Sequence, residues 1–221
     1  MFAKSLPNTV LLGGQALGVC SHSAMNPFIG TLTFIEPHDG FYGALGHFLP
    51  ITWFFHKKRW SIKSSSIKAI KKATQDLGFK IGELMDRGFS GTIKRNTSCG
   101  IFGDIEGFQV NPYFKDPIPV ARFEEIKFGP ATLYTVLEGD TVEEFDITVD
   151  SIICGHKKTP YLTIDIVDPD LIARTGGIVK GMSGSPIIQD GKLIGALSHL
   201  SARNCQRGYA VFIGSMLKQL Q

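Results

Sequence analysis

The 221-residue sequence predicts an all-β fold, a sandwich or barrel. Two observations carry this. Short apolar stretches recur every ~8–15 residues with turn chemistry between them. The composition, with 25 Gly and 11 Pro, favours turns over long helices. Hydrophobic residues at 43% and charged residues at 19% describe a globular chain with ample core.

The elements follow in order. Residues 31–36, TLTFIE, run into the turn PHDG, and FYGALGHFL resumes, which predicts a hairpin. Residues 61–70, SIKSSSIKAI, alternate loosely and read as strand or short helix. Residues 117–122 and 131–137 predict further strands. EFDITVDSI, 144–152, alternates at period two, and so does YLTIDIV, 161–167. SPIIQDGKLIGALSH, 185–199, predicts strand, QDG turn and strand. RGYAVFIG continues the pattern, and SMLKQLQ predicts a short C-terminal helix. No internal repeat, heptad or low-complexity linker breaks the chain.

Several function classes recede. The net charge of +3 is too weak to argue for nucleic acid. Residues 57–72 carry seven Lys/Arg but no aromatic interleaving, so a solvated face is the expectation there rather than a polyanion groove. No run of about 18 apolar residues predicts a membrane span. The N-terminus is a poor signal peptide, because proline and glycines interrupt its apolar run. Cys20, Cys99, Cys154 and Cys205 are irregularly spaced with no CxxC, which argues against a metal site and favours free thiols. No cofactor is expected.

The chemistry concentrates in GMSGSP, 181–186. A serine hydroxyl needs a neighbouring base, and acyl transfer needs backbone N–H groups aimed at the developing oxyanion. A Gly-x-Ser-Gly turn can supply both, with the amides of Gly181 and Ser183 as donors. The stretch resembles the Gly-Asp-Ser-Gly-Gly-Pro signature of chymotrypsin-like serine proteases. The hairpin that follows also fits, ending in Ser198. Met182 stands where those enzymes have aspartate, which argues against their mode of zymogen activation. YGALGHFLP, 42–50, places His47 after small residues and ahead of the serine, as in that clan. The resemblance implies a chymotrypsin-like double β-barrel, with subdomains at about 1–115 and 116–221 of a single 1–221 unit.

A closer resemblance covers nearly the whole chain. GGQALGV, GTLTFIEP, YGALGH, NTSCGIFG and VDPDLIARTGGIVKGMSGSPIIQDGKLIGALSH are similar to the stage IV sporulation protein B (SpoIVB) peptidases of spore-forming bacteria. The resemblance implies a serine endopeptidase with His47, Asp168 and Ser183 as its catalytic set, acting on a protein or peptide substrate in sporulation signalling. It implies an extracytoplasmic place, the forespore intermembrane space, while the weak signal sequence would suit the cytoplasm. Only eight residues separate GGQALGV from FIGTLTF, so the PDZ domain that the family carries there is not expected. Gly177, six residues before the serine, falls at the floor of the specificity pocket, which predicts a small or apolar residue before the cut.

Asp168 lies only 15 residues before Ser183, whereas the acid of chymotrypsin-like folds usually stands between base and nucleophile. It could instead cap the DPD turn. Asp104 and Asn96 lie closer to the usual acid position. The alternative to an enzyme is a protease-fold module that binds peptide without cutting it.

Overall fold

The computed structural model describes residues 6–21, 27–50, 60–74, 76–154 and 159–221. Strands β1 (Thr9–Leu12), β2 (Ala16–Ser21), β3 (Phe28–Ile35), β4 (Phe41–Ala44), β5 (Trp60–Lys71), β6 (Phe79–Leu84), β7 (Ser90–Thr92), β8 (Arg95–Thr97) and β9 (Gly100–Glu106) build the first half. Their pairing closes a ring, β3-β2-β5-β7-β9-β4 and back to β3, with β1, β6 and β8 attached outside it. Strand β10 (Ile118–Pro119) pairs with β1. The second half is a closed barrel of β11 (Gly129–Val136), β12 (Val142–Cys154), β13 (Pro160–Ile166), β14 (Pro186–Gln189), β15 (Lys192–Leu200) and β16 (Arg207–Phe212), in the order β11-β12-β13-β16-β15-β14. The fold is therefore two six-stranded antiparallel barrels.

Local chemistry explains the elements. In β12, Phe145, Ile147 and Val149 are buried while Glu144, Asp146 and Asp150 are exposed, as strand alternation requires. The loosely alternating 61–70 is strand throughout. The QDG turn is a two-residue loop: Asp190 and Gly191 have φ of 50° and 73° between the paired Gln189 and Lys192. Each barrel has its own core, one around Leu32, Tyr42 and Ile101 and one around Leu133, Leu162 and Ile164. A third cluster joins them, with Phe34 and Phe102 from the first barrel and Val136 and Val211 from the second. Helix α2 (Ile213–Leu217) seals this cluster with Ile213, Met216 and Leu217, as expected of the C-terminal helix. Burying each such aliphatic side chain is worth ~1.5–3 kcal/mol.

Helix α1 (Pro169–Thr175) runs where no helix was expected. The basic stretch 57–72 lies partly outside the described residues. Its described part is β5 and Lys72, and on β5 Lys68 pairs with Glu83 at 2.6 Å on the exposed surface. Cys20, Cys99 and Cys205 are free thiols. Among the described residues no helix is long and apolar enough to cross a membrane, and no group of three His, Cys, Asp or Glu is placed to hold a metal.

Candidate active site

Ser183 stands in the loop between α1 and β14, and the first barrel holds that loop. Five consecutive carbonyls of the turn are bound. Lys180 O accepts from Lys80 N at 2.9 Å, Met182 O from Ser185 N at 3.0 Å and Ser183 O from Thr31 N at 2.9 Å. The fully buried hydroxyls of Thr31 and Thr33 donate to Gly181 O at 3.0 Å and Gly184 O at 2.8 Å. In a trans peptide the carbonyl and the following N–H point in opposite directions. Fixing Lys180 O and Met182 O therefore turns the Gly181 and Ser183 amides away from these partners. Gly184, at φ 94°, must be glycine: a Cβ there would lie 2.0 Å from Thr31 O and 2.5 Å from Leu45 N. The two barrels meet backbone to backbone at this residue.

His47 follows two left-handed residues, Leu45 (φ 68°) and Gly46 (φ 65°). A positive φ at leucine is strained. The surroundings hold it: Leu45 is buried, packed against Gly30. This reversal carries His47 into a cleft of about 380 Å³ that Ser183 and Gly181 also line. His47 Nδ1 lies 2.8 Å from Phe48 O. A carbonyl can only accept, so Nδ1 carries a proton, and in the neutral ring it is Nε2 that offers the lone pair. Asn96 pins the same segment from β8: Leu49 N donates to Asn96 Oδ1 at 2.9 Å, and Asn96 Nδ2 donates to Leu49 O at 2.8 Å. Ser183 Oγ rests on Ser198 O at 3.3 Å.

Asp168 is not brought to His47. Its backbone is the N-cap of α1, where Oδ1 accepts from Leu171 N at 2.9 Å. Its Oδ2 accepts from Asp146 N at 3.2 Å. Both oxygens serve the chain's own amides, with Pro169 at the first helical position. Asp104 makes no bond to His47 either: it pairs across from Phe41, at the end of β4 away from Ala44, and binds Lys94 at 2.5 Å. Asn96 is the candidate that reaches the base's segment, but by way of Leu49.

Gly177 does not line the cleft. A Cβ there would lie 2.5 Å from Cys205 O, so the backbone of 205 closes this floor. The neighbouring Ile178 lines the cleft, and its Cδ1 lies 2.4 Å from where a Cβ of Gly208 would stand. Ser198 does line it. Its hydroxyl donates to Gly46 O at 2.7 Å and lies 2.6 Å from His199 Nδ1. Its one proton goes to the carbonyl, so His199 Nδ1 must be the donor in the second bond.

His199 escaped the sequence reading. Its ring lies 5.1 Å from that of His47, tilted by 41°. Partial burial of the ring first, and the nearby His47 second, shift its pKa downward. Strict alternation would send Ser198 and His199 to opposite faces. A β-bulge between Leu197 and His199 puts both on the cleft. A bulge leaves little trace in the sequence.

The rest of the cleft is apolar, with Phe28, Ile29, Leu49, Ile178, Val179 and Leu200 on its walls and Lys180 at its rim. A serine whose turn leaves two amides facing away from the groups that hold it, an imidazole with a free Nε2, and an apolar cleft between two barrels together suit acyl transfer on a peptide.

Comparison with known proteins agrees. The active form of the Rv3671c protease from M. tuberculosis is similar over 100% of this chain and 91% of its own, at 14% identity and TM-score 0.52. The serine endoprotease from Yersinia pestis is similar over 100% of this chain and 66% of its own, at 12% identity and TM-score 0.53. At these identities the likeness shows the fold, a chymotrypsin-like double barrel. Among curated proteins none matches the chain. The family model described as SpoIVB peptidase S55 matches residues 17–217, nearly all of the sequence and every part of the cleft. The chain belongs to the SpoIVB peptidase S55 family, a family of serine peptidases.

Proposed function

We propose that this chain is a catalytically active serine endopeptidase in which Ser183 is the nucleophile, His47 the base, and the amides of Gly181 and Ser183 the oxyanion hole. The observation that carries the reading is the turn itself. All five carbonyls from Lys180 to Gly184 are bound, and the two amides that chemistry needs point away from those partners. Substrate binding brings His47 Nε2 to Ser183 Oγ, since catalytic hydrogen bonds commonly tighten only in the substrate complex. Nε2 takes the serine proton as Oγ attacks the peptide carbonyl. The two amides hold the oxyanion. His47 returns the proton to the leaving amine, and water then releases the acyl-enzyme. The Phe48 carbonyl keeps the productive tautomer by holding Nδ1–H. Asp168 acts at a distance, by capping the helix that leads into the nucleophile loop.

The substrate is an extended protein segment with an apolar side chain before the cut. The apolar walls support this, and the described cleft residues include no carboxylate to attract Lys or Arg. Beyond Ala196, β15 is no longer paired with β14, so Ser198–Leu200 can accept a strand on that side. A role in sporulation signalling, outside the cytoplasm, rests on family membership.

A fluorophosphonate probe tests the reading. It should label the wild type and Ser185→Ala and leave Ser183→Ala unlabelled. A folded wild type that takes no label would reduce the protein to a peptide-binding module.

A further inference from the structure

We propose that Lys80 is a positioning residue for the oxyanion hole, reaching across from the first barrel to hold the Lys180–Gly181 peptide in its productive orientation. The proposal rests on the peptidase reading above and adds a residue outside the catalytic cleft.

The first barrel sends the end of β5 and the start of β6 along the loop that carries the nucleophile. Lys72 Nζ donates to Ala173 O at 2.7 Å, and Ala73 N donates to Thr175 O at 2.7 Å. Further along, Lys180 N donates to Gly78 O and Lys80 N donates to Lys180 O, both at 2.9 Å. Residue 180 is thus held on both sides by one strand, through a parallel bridge between Phe79 and Lys180. The Lys180–Gly181 peptide matters because its N–H is one of the two proposed donors. Rotating it would break the bond from Lys80 N and point a carbonyl at the oxyanion instead of an N–H.

The Lys80 side chain adds a second restraint. It is 5% exposed although it belongs to an edge strand whose other residues are largely open. Its stem lies directly beneath Gly181. A Cβ at Gly181 would stand 3.0 Å from Lys80 Cβ, 3.1 Å from Cδ and 3.2 Å from Cγ. Its Nζ passes on into the second barrel and donates to the buried Thr135 Oγ1 of β11 at 2.8 Å. A side chain with one end in each barrel and its stem against the turn leaves that turn no room to sink. Thr31 and Thr33 hold the far side of the same turn.

A series of stem lengths tests this. Lys80→Met keeps the stem and drops the charge, Lys80→Leu shortens it, and Lys80→Ala removes it. The kcat on a peptide substrate should fall about threefold in Met, which loses only the bond to Thr135, about tenfold in Leu and about a hundredfold in Ala. The last figure approaches the loss of one oxyanion donor. KM should stay within about twofold throughout, and affinity for a peptide boronic acid, which mimics the tetrahedral intermediate, should fall in step with kcat. Amide exchange over residues 179–185 should be about tenfold faster in Ala than in Met, a readout independent of turnover. If Lys80→Ala fails to fold, the Leu–Met pair makes the same comparison. Flat kcat across the folded variants, KM moving with kcat, or equal exchange in all of them would overturn the proposal. A wild type that neither turns over peptide nor binds the boronic acid fails the peptidase reading instead, and the exchange series still decides the role of Lys80.

Discussion

The two halves of the cleft are held in different ways. The Ser183 half, which carries the proposed nucleophile, is over-determined: five consecutive carbonyls are bound, by strands of the first barrel and by the turn itself. The His47 half, which carries the proposed base, stands on a strained leucine and a handful of neutral bonds, chiefly His47 Nδ1–H to Phe48 O and those between Asn96 and Leu49. The difference teaches where each kind of precision is needed. Oxyanion donors gain by being fixed before the reaction begins. The imidazole must move a proton in both directions, so it needs the right tautomer more than a rigid seat.

The largest effect expected from breaking this comparison is at the base itself. His47→Ala should lower kcat by about 10⁴–10⁶-fold, as loss of a base does where the residues act as a unit, while probe labelling of Ser183 falls with it. A modest loss would mean that another group, with His199 nearest, can serve as base. Next comes the support for the base. Asn96→Ala releases Leu49 and should lower kcat by about ten- to a hundredfold, a misplacement effect, with KM little changed. Steady-state kinetics on one peptide measures both, and an unchanged kcat would show that the base half is more rigid than its bonds suggest.

Much of this was legible in the sequence, and for a physical reason. The GMSGSP turn announces itself because close backbone contacts exclude side chains, and the glycine at 184 is forced by Thr31 and Leu45. The QDG hairpin and the alternation of β12 are local rules, readable without tertiary context. What stayed hidden depends on partners distant in sequence. The short strands β7 and β8 have three residues each, too few to show a period. Asp168–Pro169 is a helix-start signature, yet the family resemblance assigns its carboxylate to catalysis. His199 was missed because a bulge breaks the alternation that would have placed it. Lys80 was missed because a lysine on an edge strand is ordinarily solvated, and only the docking of two barrels buries this one.

That burial has a pH signature of intermediate size. Burial pulls the Lys80 ammonium from 10.5 down to about 7, against the opposing pull of Glu143. Below about pH 7 both folded and unfolded chains hold the proton, and the cost of burying the charge is felt in full. Between about pH 7 and 10.5 the unfolded chain binds the extra proton, so stability should rise with pH, by up to ~1.4 kcal/mol per unit. Urea melts at pH 7 and 9 should show this rise in the wild type and lose it in Lys80→Met. A rise of equal size in the variant would assign it to other groups.

The smallest effect is expected where the resemblance would put one of the largest. Asp168→Ala should cost only the ~0.5–2 kcal/mol of a lost helix cap, visible as a lower melting temperature. Asparagine caps a helix about as well as aspartate but cannot carry the charge of a catalytic acid. The most direct test of a base held by a main-chain carbonyl is therefore kcat/KM of Asp168→Asn beside its melting temperature. Asparagine keeps one of the two acceptor oxygens, so its melting temperature should lie between those of the wild type and Asp168→Ala, with kcat/KM within about threefold of the wild type. A fall of about 10⁴-fold in kcat/KM at a melting temperature no lower than that of Asp168→Ala would contradict a purely capping role and return Asp168 to the catalytic set.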